Sequence, residues 1–195
     1  MEIIKRDFQD FADKYGCDTE FFNSVVSRVP KAYLGGGAIR RVLLKQPLDS
    51  DFDFFFSDES HLKTWEDNLK GFSKEKETAH HIQYRGFVDN LPVVIQAIKF
   101  KYYTSPEKVL DSFDFTITQF CLHEGHLYTT PEALWDAGRK RLVLHKMTYP
   151  VATMRRLLKY SKQGFTCCSG CMSAMYRETM DNPETWEHLD IEYVD

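Results

Sequence analysis

Residues 34–56 read LGGGAIRRVLLKQPLDSDFDFFF, and this stretch decides the fold. Three glycines interrupt an apolar run, a helical pattern follows over 38–45, and Pro47 closes it. Acidic residues then alternate with phenylalanines. Side chains of a strand point to opposite faces in turn, so Asp51 and Asp53 share one face while Phe52, Phe54 and Phe56 share the other. The phenylalanine face is a candidate for the core. The carboxylate face is a candidate for chemistry.

The glycine turn suggests what chemistry. A strand that runs through Gly35, Gly36 and Gly37 into a helix leaves amides unpaired at the helix start. Without side chains, an anion can approach them closely. The positive end of the helix dipole adds to the attraction for phosphate. Two neighbouring carboxylates repel each other, and a hard divalent cation such as Mg²⁺ relieves that repulsion while leaving sites for phosphate oxygens. A phosphate cradle and a metal-binding pair joined by one helix are the parts of phosphoryl-group chemistry.

The surrounding chain has ordinary globular composition. It holds 195 residues, 43% hydrophobic and 28% charged, with a formal net charge of −4. A nucleic-acid partner would therefore need a local basic patch. One such patch is legible. Between Gly138 and Gly164 there is no acidic residue, and Arg139, Lys140, Arg141, Lys146, Arg155, Arg156, Lys159 and Lys162 are all basic. Helical spacing puts Arg155, Lys159 and Lys162 on one face, suited to a nucleoside triphosphate or an RNA backbone. The absence of a signal peptide or a long apolar segment, with five cysteines, an odd number, leads us to expect a cytoplasmic protein with free thiols and no membrane partner.

Periodicity predicts helices over 7–15, 18–29 (closed by Pro30), 60–70, 105–110, 131–137 and 150–163. The last has Val151, Met154, Leu157 and Leu158 as its expected apolar face. Strands are expected over 31–34, 52–56, 76–87, 92–102, 114–122 and 126–129, with turns at Asp89-Asn90 and Glu124-Gly125. The mixed order of helices and strands indicates an α+β fold with a mixed sheet flanked by helices. Residues 1–165 are expected to form the main domain, and 166–195 a short helical extension with an acidic tail from Glu178 onward. Cys167, Cys168 and Cys171 form C-C-x-x-C, three of the four ligands of a zinc site, with His188 or Cys121 as the candidate fourth.

Four motifs in order resemble the DNA polymerase β-like nucleotidyltransferases, and within them the head of the CCA-adding tRNA nucleotidyltransferases and bacterial poly(A) polymerases. GGAIRRVLL at 36–44 is similar to that group's glycine–helix motif and SDFDFF at 50–55 to its metal-binding pair. FDFTITQFCLHEGHLY at 113–128 and PVATMRRLLKYSKQGF at 150–165 are similar to two later segments. The resemblance implies Asp51 and Asp53 as catalytic metal ligands for Mg²⁺ or Mn²⁺. It also implies Gly36 and Gly37, with Gly35 beside them, as triphosphate contacts, and Arg40 as a group steadying the phosphates or the fold. With Arg155 and Lys159 these make the expected nucleotide-binding set. An NTP is the implied substrate, and an RNA 3′ end, tRNA included, the acceptor class.

The chain departs from the pattern in three places. Arg41 stands where the motif has an Asp. Gln96 stands where many relatives place a third carboxylate, for which Asp89, Asp111 or Asp114 could substitute. No base-selecting Glu-Asp-x-x-Arg follows Phe165, so base choice does not carry over. The alternative reading is a nucleotide-binding regulator that keeps the fold and has lost turnover.

Overall fold

The structure, a computed structural model, describes residues 1–29 and 31–182. In chain order its elements are β1 (Ile4–Asp7), α1 (Phe8–Lys14), α2 (Glu20–Val26), β2 (Tyr33–Gly35), α3 (Gly37–Leu43), β3 (Phe52–Phe55) and α4 (Glu59–Asn68). There follow β4 (Phe72–Glu77), β5 (His81–Val88), β6 (Leu91–Ile98), α5 (Pro106–Asp111), a 3₁₀ turn (Thr116–Thr118), β7 (Phe120–His123) and β8 (His126–Thr129). The chain ends its described part with α6 (Pro131–Gly138), β9 (Arg141–Leu142), α7 (Pro150–Lys162), β10 (Thr166–Cys167) and α8 (Ser169–Asp181).

Eight strands form one sheet in the order β1-β8-β7-β2-β3-β6-β5-β4. Only β3 and β6 run parallel; every other neighbouring pair is antiparallel. This is the expected α+β mixed sheet. Two tight turns behave as their residues dictate. Asp89 and Asn90 both take positive φ, 51° and 63°, as do Glu124 and Gly125, 48° and 76°. That is the two-residue turn whose twist suits a hairpin, and it joins β5 to β6 and β7 to β8.

One sheet face carries the main core. Phe52, Phe54 and Phe56 are buried with Phe22 and Val25 of α2, Ile39 and Val42 of α3, and Leu62 and Trp65 of α4. Each such phenylalanine contributes roughly 1.5–3 kcal/mol by burial. The opposite face is closed over only part of its area, where Tyr33 and Phe55 pack with Tyr103, Val109 and Leu110 around α5. A third cluster joins Phe115, Ile117, Leu142, Met147 and Phe165 to Cys171 and Met175 of α8.

Three expectations need correction. The strand expected over 114–122 begins only at Phe120. Before it, Thr118 donates to the Phe115 carbonyl (2.8 Å) and the chain turns as a 3₁₀ helix. The edge strands β1 and β4 escape periodicity because they alternate nothing: β4, FSKEKE, is almost wholly exposed. Charged edges of this kind discourage sheet-to-sheet association. The apolar face expected for α7 is turned the wrong way. Val151, Met154 and Leu158 are exposed, and the helix buries Pro150 and Thr153 instead, with Leu157 half-buried against the third cluster. The reason is that α7 is anchored by polar groups, described next. Pro30 and the tail beyond Asn182, with Glu184, Glu187, His188, Asp190, Glu192 and Asp195, lie outside the described residues.

Candidate active site

The sheet register assembles the site. Asp53 lies opposite Gly35 of β2 on one side and beside Gln96 of β6 on the other. Gln96 in turn faces Gln83, and Gln83 faces Lys76. Cross-strand partners share a sheet face, so a polar row runs across the side opposite the main core. Gly35 opens the flank of Asp53. A Cβ there would meet the Phe55 ring at 2.7 Å and the Phe113 ring at 2.9 Å, so the residue must be glycine for these rings to close beside the carboxylate.

Asp51 and Asp53 project together as expected, and each feels the cost. Burial pushes the Asp53 carboxyl up to about 7, and repulsion by Asp51 adds to it, against the pull of Lys159 and Arg156. Burial raises Asp51 as well, opposed by Lys159, His81 and Arg85. Gln96 donates from Nε2 to the Asp51 carboxylate at 2.7 Å. Its amide thus holds Asp51 in place without adding a third negative charge. Two neighbouring carboxylates, both made reluctant to ionise by burial and in Asp53 also by its neighbour, fit a hard divalent cation.

None of the proposed substitutes for a third acid joins them. Asp89 sits in the β5–β6 turn. Asp111 bonds His145 (2.9 Å) and Lys146 (2.8 Å) at the surface. Asp114 is buried and paired with Arg156 of α7, and its carbonyl accepts from the amides of His145 and Lys146. Among the described residues no group of three or more histidine, cysteine or acidic side chains converges on a metal position. The same holds for the C-C-x-x-C zinc reading. Cys121 is enclosed in the α5 cluster, while Cys171 belongs to the α8 cluster, and His188 lies outside the described residues. Asp49 is paired with Arg41 at 2.6 Å.

The glycine turn is narrower than its sequence suggests. Gly35 is a paired strand residue and Gly36 donates its amide to the Phe120 carbonyl (2.8 Å). Both are buried, and only Gly37 is partly open. The amides of Gly37, Ala38 and Ile39 stand in the first turn of α3, where no intrahelical acceptor exists. Gly36 has φ 81° and ψ −132°, a region that an L side chain tolerates poorly. Gly36→Ala is expected to lower stability by about 1–3 kcal/mol, read as a drop in the chemical denaturation midpoint.

Arg40 is withdrawn into the interior. It is 1% exposed. Its guanidinium lies over the rings of Tyr160 (5.2 Å) and Phe165 (4.8 Å) and donates to Gln163 Oε1 at 3.1 Å. Of the two roles open to it, the geometry gives support of the fold: it ties α3 to α7. Arg156 and Lys159, three residues apart on α7, are the cations that act on Asp53. Arg155 is half-buried. Reading the basic face of α7 as 155, 159 and 162 therefore left Arg156 off it. The signal that could have found it is the buried acid in FDFT, which requires a cation.

The comparisons agree with this architecture. A profile described as "Gad2: Gabija anti-defense 2 family protein" matches residues 2–140. No curated protein matches at a significant level. Among solved structures, a Thermotoga maritima CCA-adding enzyme complexed with tRNA aligns at TM-score 0.60 and 16% identity, over 93% of this chain and 47% of that one. A CCA-adding enzyme complexed with CTP aligns at TM-score 0.61 and 17% identity, over 93% and 46%. A tRNA nucleotidyltransferase with a primer tRNA and an incoming ATP analog aligns at TM-score 0.52 and 16% identity, over 88% and 49%. The chain spans about half the length of the structures it matches. The fold is shared with these CCA-adding enzyme and tRNA nucleotidyltransferase structures.

Proposed function

The chain belongs to the Gabija anti-defense 2 family, and from that premise we propose that it is a metal-dependent nucleotidyltransferase whose chemistry serves the anti-defence role its family is named for. An acceptor hydroxyl attacks the α-phosphorus of an NTP, the α–β bond breaks, and pyrophosphate leaves. The single observation that carries this is the row Gly35–Asp53–Gln96, which sets a carboxylate pair beside the glycine turn.

Asp51 and Asp53 would hold Mg²⁺ or Mn²⁺. When bound, such an ion offsets charge developing on the reacting phosphate and favours ionisation of the attacking hydroxyl. Lys159 and Arg156, which act on Asp53, would supply fixed positive charge for the outer phosphates. Gly37 leaves room for phosphate oxygens at the start of α3. Arg155 and Lys159 on the basic helix α7 would meet an RNA backbone, so an RNA 3′ end is the acceptor class we favour. We place its site of action in the cytoplasm; no helix among the described residues is long and apolar enough to cross a membrane. Residues 1–165 are the proposed transferase head and 166–195 its extension.

A second reading rests on Gln96. Gln96 stands where the resemblance implies a third carboxylate, and it bonds Asp51 at 2.7 Å, which favours a nucleotide-binding regulator without turnover. One experiment separates the two. The protein is incubated with Mg²⁺ or Mn²⁺, each α-labelled NTP, total RNA and cell protein, beside Asp51→Ala and Asp53→Ala. Label transferred by the natural chain and lost in both variants supports transfer and reports base and acceptor class. NTP and metal binding with no transfer supports the regulator, and Gln96→Glu becomes the variant to test for gain of turnover.

Asp53 also predicts a pH signature. Its folded pKa, about 7, lies above the ordinary aspartate value. Between about pH 4 and pH 7 the folded state therefore binds more protons than the unfolded state, and stability falls as pH rises through that window. The metal-free protein is expected to melt lower at pH 8 than at pH 5.5. Mg²⁺ should raise the melting temperature more at pH 8, where both carboxylates are ionised. Equal Mg²⁺ shifts at the two pH values would contradict this.

A further inference from the structure

Five residues after the active-site helix ends, β10 runs into α8 through Cys167-Cys168-Ser169-Gly170-Cys171. The three thiols differ in setting. Cys168 is exposed, Cys167 half-buried and Cys171 buried. Cys168 is the N-cap of a 13-residue helix, and its sulfur bends over the first turn, 3.7 Å from where a Cβ on Gly170 would stand. Cys171 is inside that turn and packs among Phe115, Leu142, Phe165 and Met175. The Cys167 thiol contacts the Cys171 thiol, and burial together with this contact raises its pKa to about 12.

Three sulfurs between the end of β10 and the first turn of α8 call for an explanation that core packing does not provide, because Cys168 is exposed. Zinc would require a fourth ligand, and the described residues offer none. Cys168 also lies at a helix start with an attacking thiol's environment. No side-chain cap bond closes the turn, yet the amides of Cys171 and Gly170 and the charge of Arg141 draw its pKa below the ordinary thiol value. An exposed, stabilised thiolate followed three residues later by a sheltered thiol is the arrangement of a dithiol that exchanges.

We propose that Cys168 and Cys171 form a dithiol–disulfide redox site that reacts with a small-molecule disulfide, Cys168 attacking and Cys171 resolving. In the first step the Cys168 thiolate attacks one sulfur of the disulfide, the S–S bond breaks, and one thiolate leaves. In the second, Cys171 loses its proton to solvent and attacks the Cys168 sulfur. The mixed S–S bond breaks and the second thiolate leaves. The two cysteines are oxidised by two electrons, and the small disulfide is reduced to two thiols. Serine and glycine between the two cysteines leave the turn uncrowded for this closure. The oxidised pair would lie on the cluster that holds Phe165 and, through it, the Arg40 strut of α7.

The test uses the full chain in glutathione buffers of increasing oxidised-to-reduced ratio, quenched by alkylation and followed by mass spectrometry of the tryptic segment 163–177, which contains all three cysteines. The natural chain should lose two alkylatable thiols in that segment at oxidising ratios. Cys168→Ser should slow disulfide formation there at least about tenfold. Cys171→Ser should accumulate a glutathione adduct at Cys168, and Cys167→Ser should still close the bond. Closure at the natural rate in Cys168→Ser would overturn the proposal and assign the attack to Cys167. Retention of all three thiols in the natural chain at every ratio would overturn it as well. Neither result bears on nucleotidyl transfer, so this inference stands or falls apart from the proposed function.

Discussion

Asp53→Asn is expected to abolish nucleotidyl transfer, lowering the rate by at least about 10³-fold, while leaving the fold intact or firmer. Several kcal/mol of transition-state charge stabilisation depend on a cation held by this pair, and an amide binds Mg²⁺ far less well than a carboxylate. The stability expectation has the opposite sign because Asp53 is held against its preference. Burial and Asp51 push its carboxyl up to about 7, and a neutral amide removes both penalties. Above pH 7 the variant should therefore melt at or above the natural chain without metal, and Mg²⁺ should no longer raise its melting temperature. Loss of activity with gain of stability is the mark of a residue kept for chemistry. Asp49→Asn is the control. That acid is largely exposed and engaged with Arg41, so the change should leave transfer nearly unaltered. A variant at Asp53 that melts lower at pH 8 and still transfers label would refute the site assignment.

Arg156→Ala is expected to be the most destabilising single change on α7. It leaves the Asp114 carboxylate, 4% exposed, without its cation. Removing one partner of a buried pair costs roughly 3–5 kcal/mol; because the Arg156 side chain is itself 47% exposed, the lower end applies. About 3 kcal/mol corresponds to a fall in melting temperature on the order of 10 °C for a chain of this size. Arg156→Ala combined with Asp114→Asn should recover part of the loss, since the unpaired charge is then gone. Transfer should fall with Arg156→Ala and stay low in the double variant, because Arg156 also acts on Asp53 and the second change does not replace that charge. Recovery of both stability and activity would reduce Arg156 to a structural role.

The alternation of DSDFDFFF by itself determined which side of β3 enters the core and which carries chemistry. A strand has only two faces, and burying three phenylalanines leaves the carboxylates no alternative. The hairpin turns at Asp89-Asn90 and Glu124-Gly125 were legible for a similarly local reason, since few residues accept positive φ twice in succession. The α+β class followed from the order of such patterns. What only the tertiary structure decided depends on partners far away in sequence. Arg40 was legible as part of the glycine–helix motif, but only the packing of Tyr160 and Phe165 turns it into a buried strut. The amide of Gly36 looked free until β7 supplied the Phe120 carbonyl. Helix α7 presents Val151, Met154 and Leu158 to solvent, against its own pattern, because the Arg156–Asp114 pair and the Gln163–Arg40 bond set its rotation. Hydrophobic periodicity orients an element when apolar burial outweighs every competing interaction. Where a buried ion pair is at stake, leaving a charge unpaired costs more than exposing a few aliphatic side chains, and the rotation follows a partner that no local window contains.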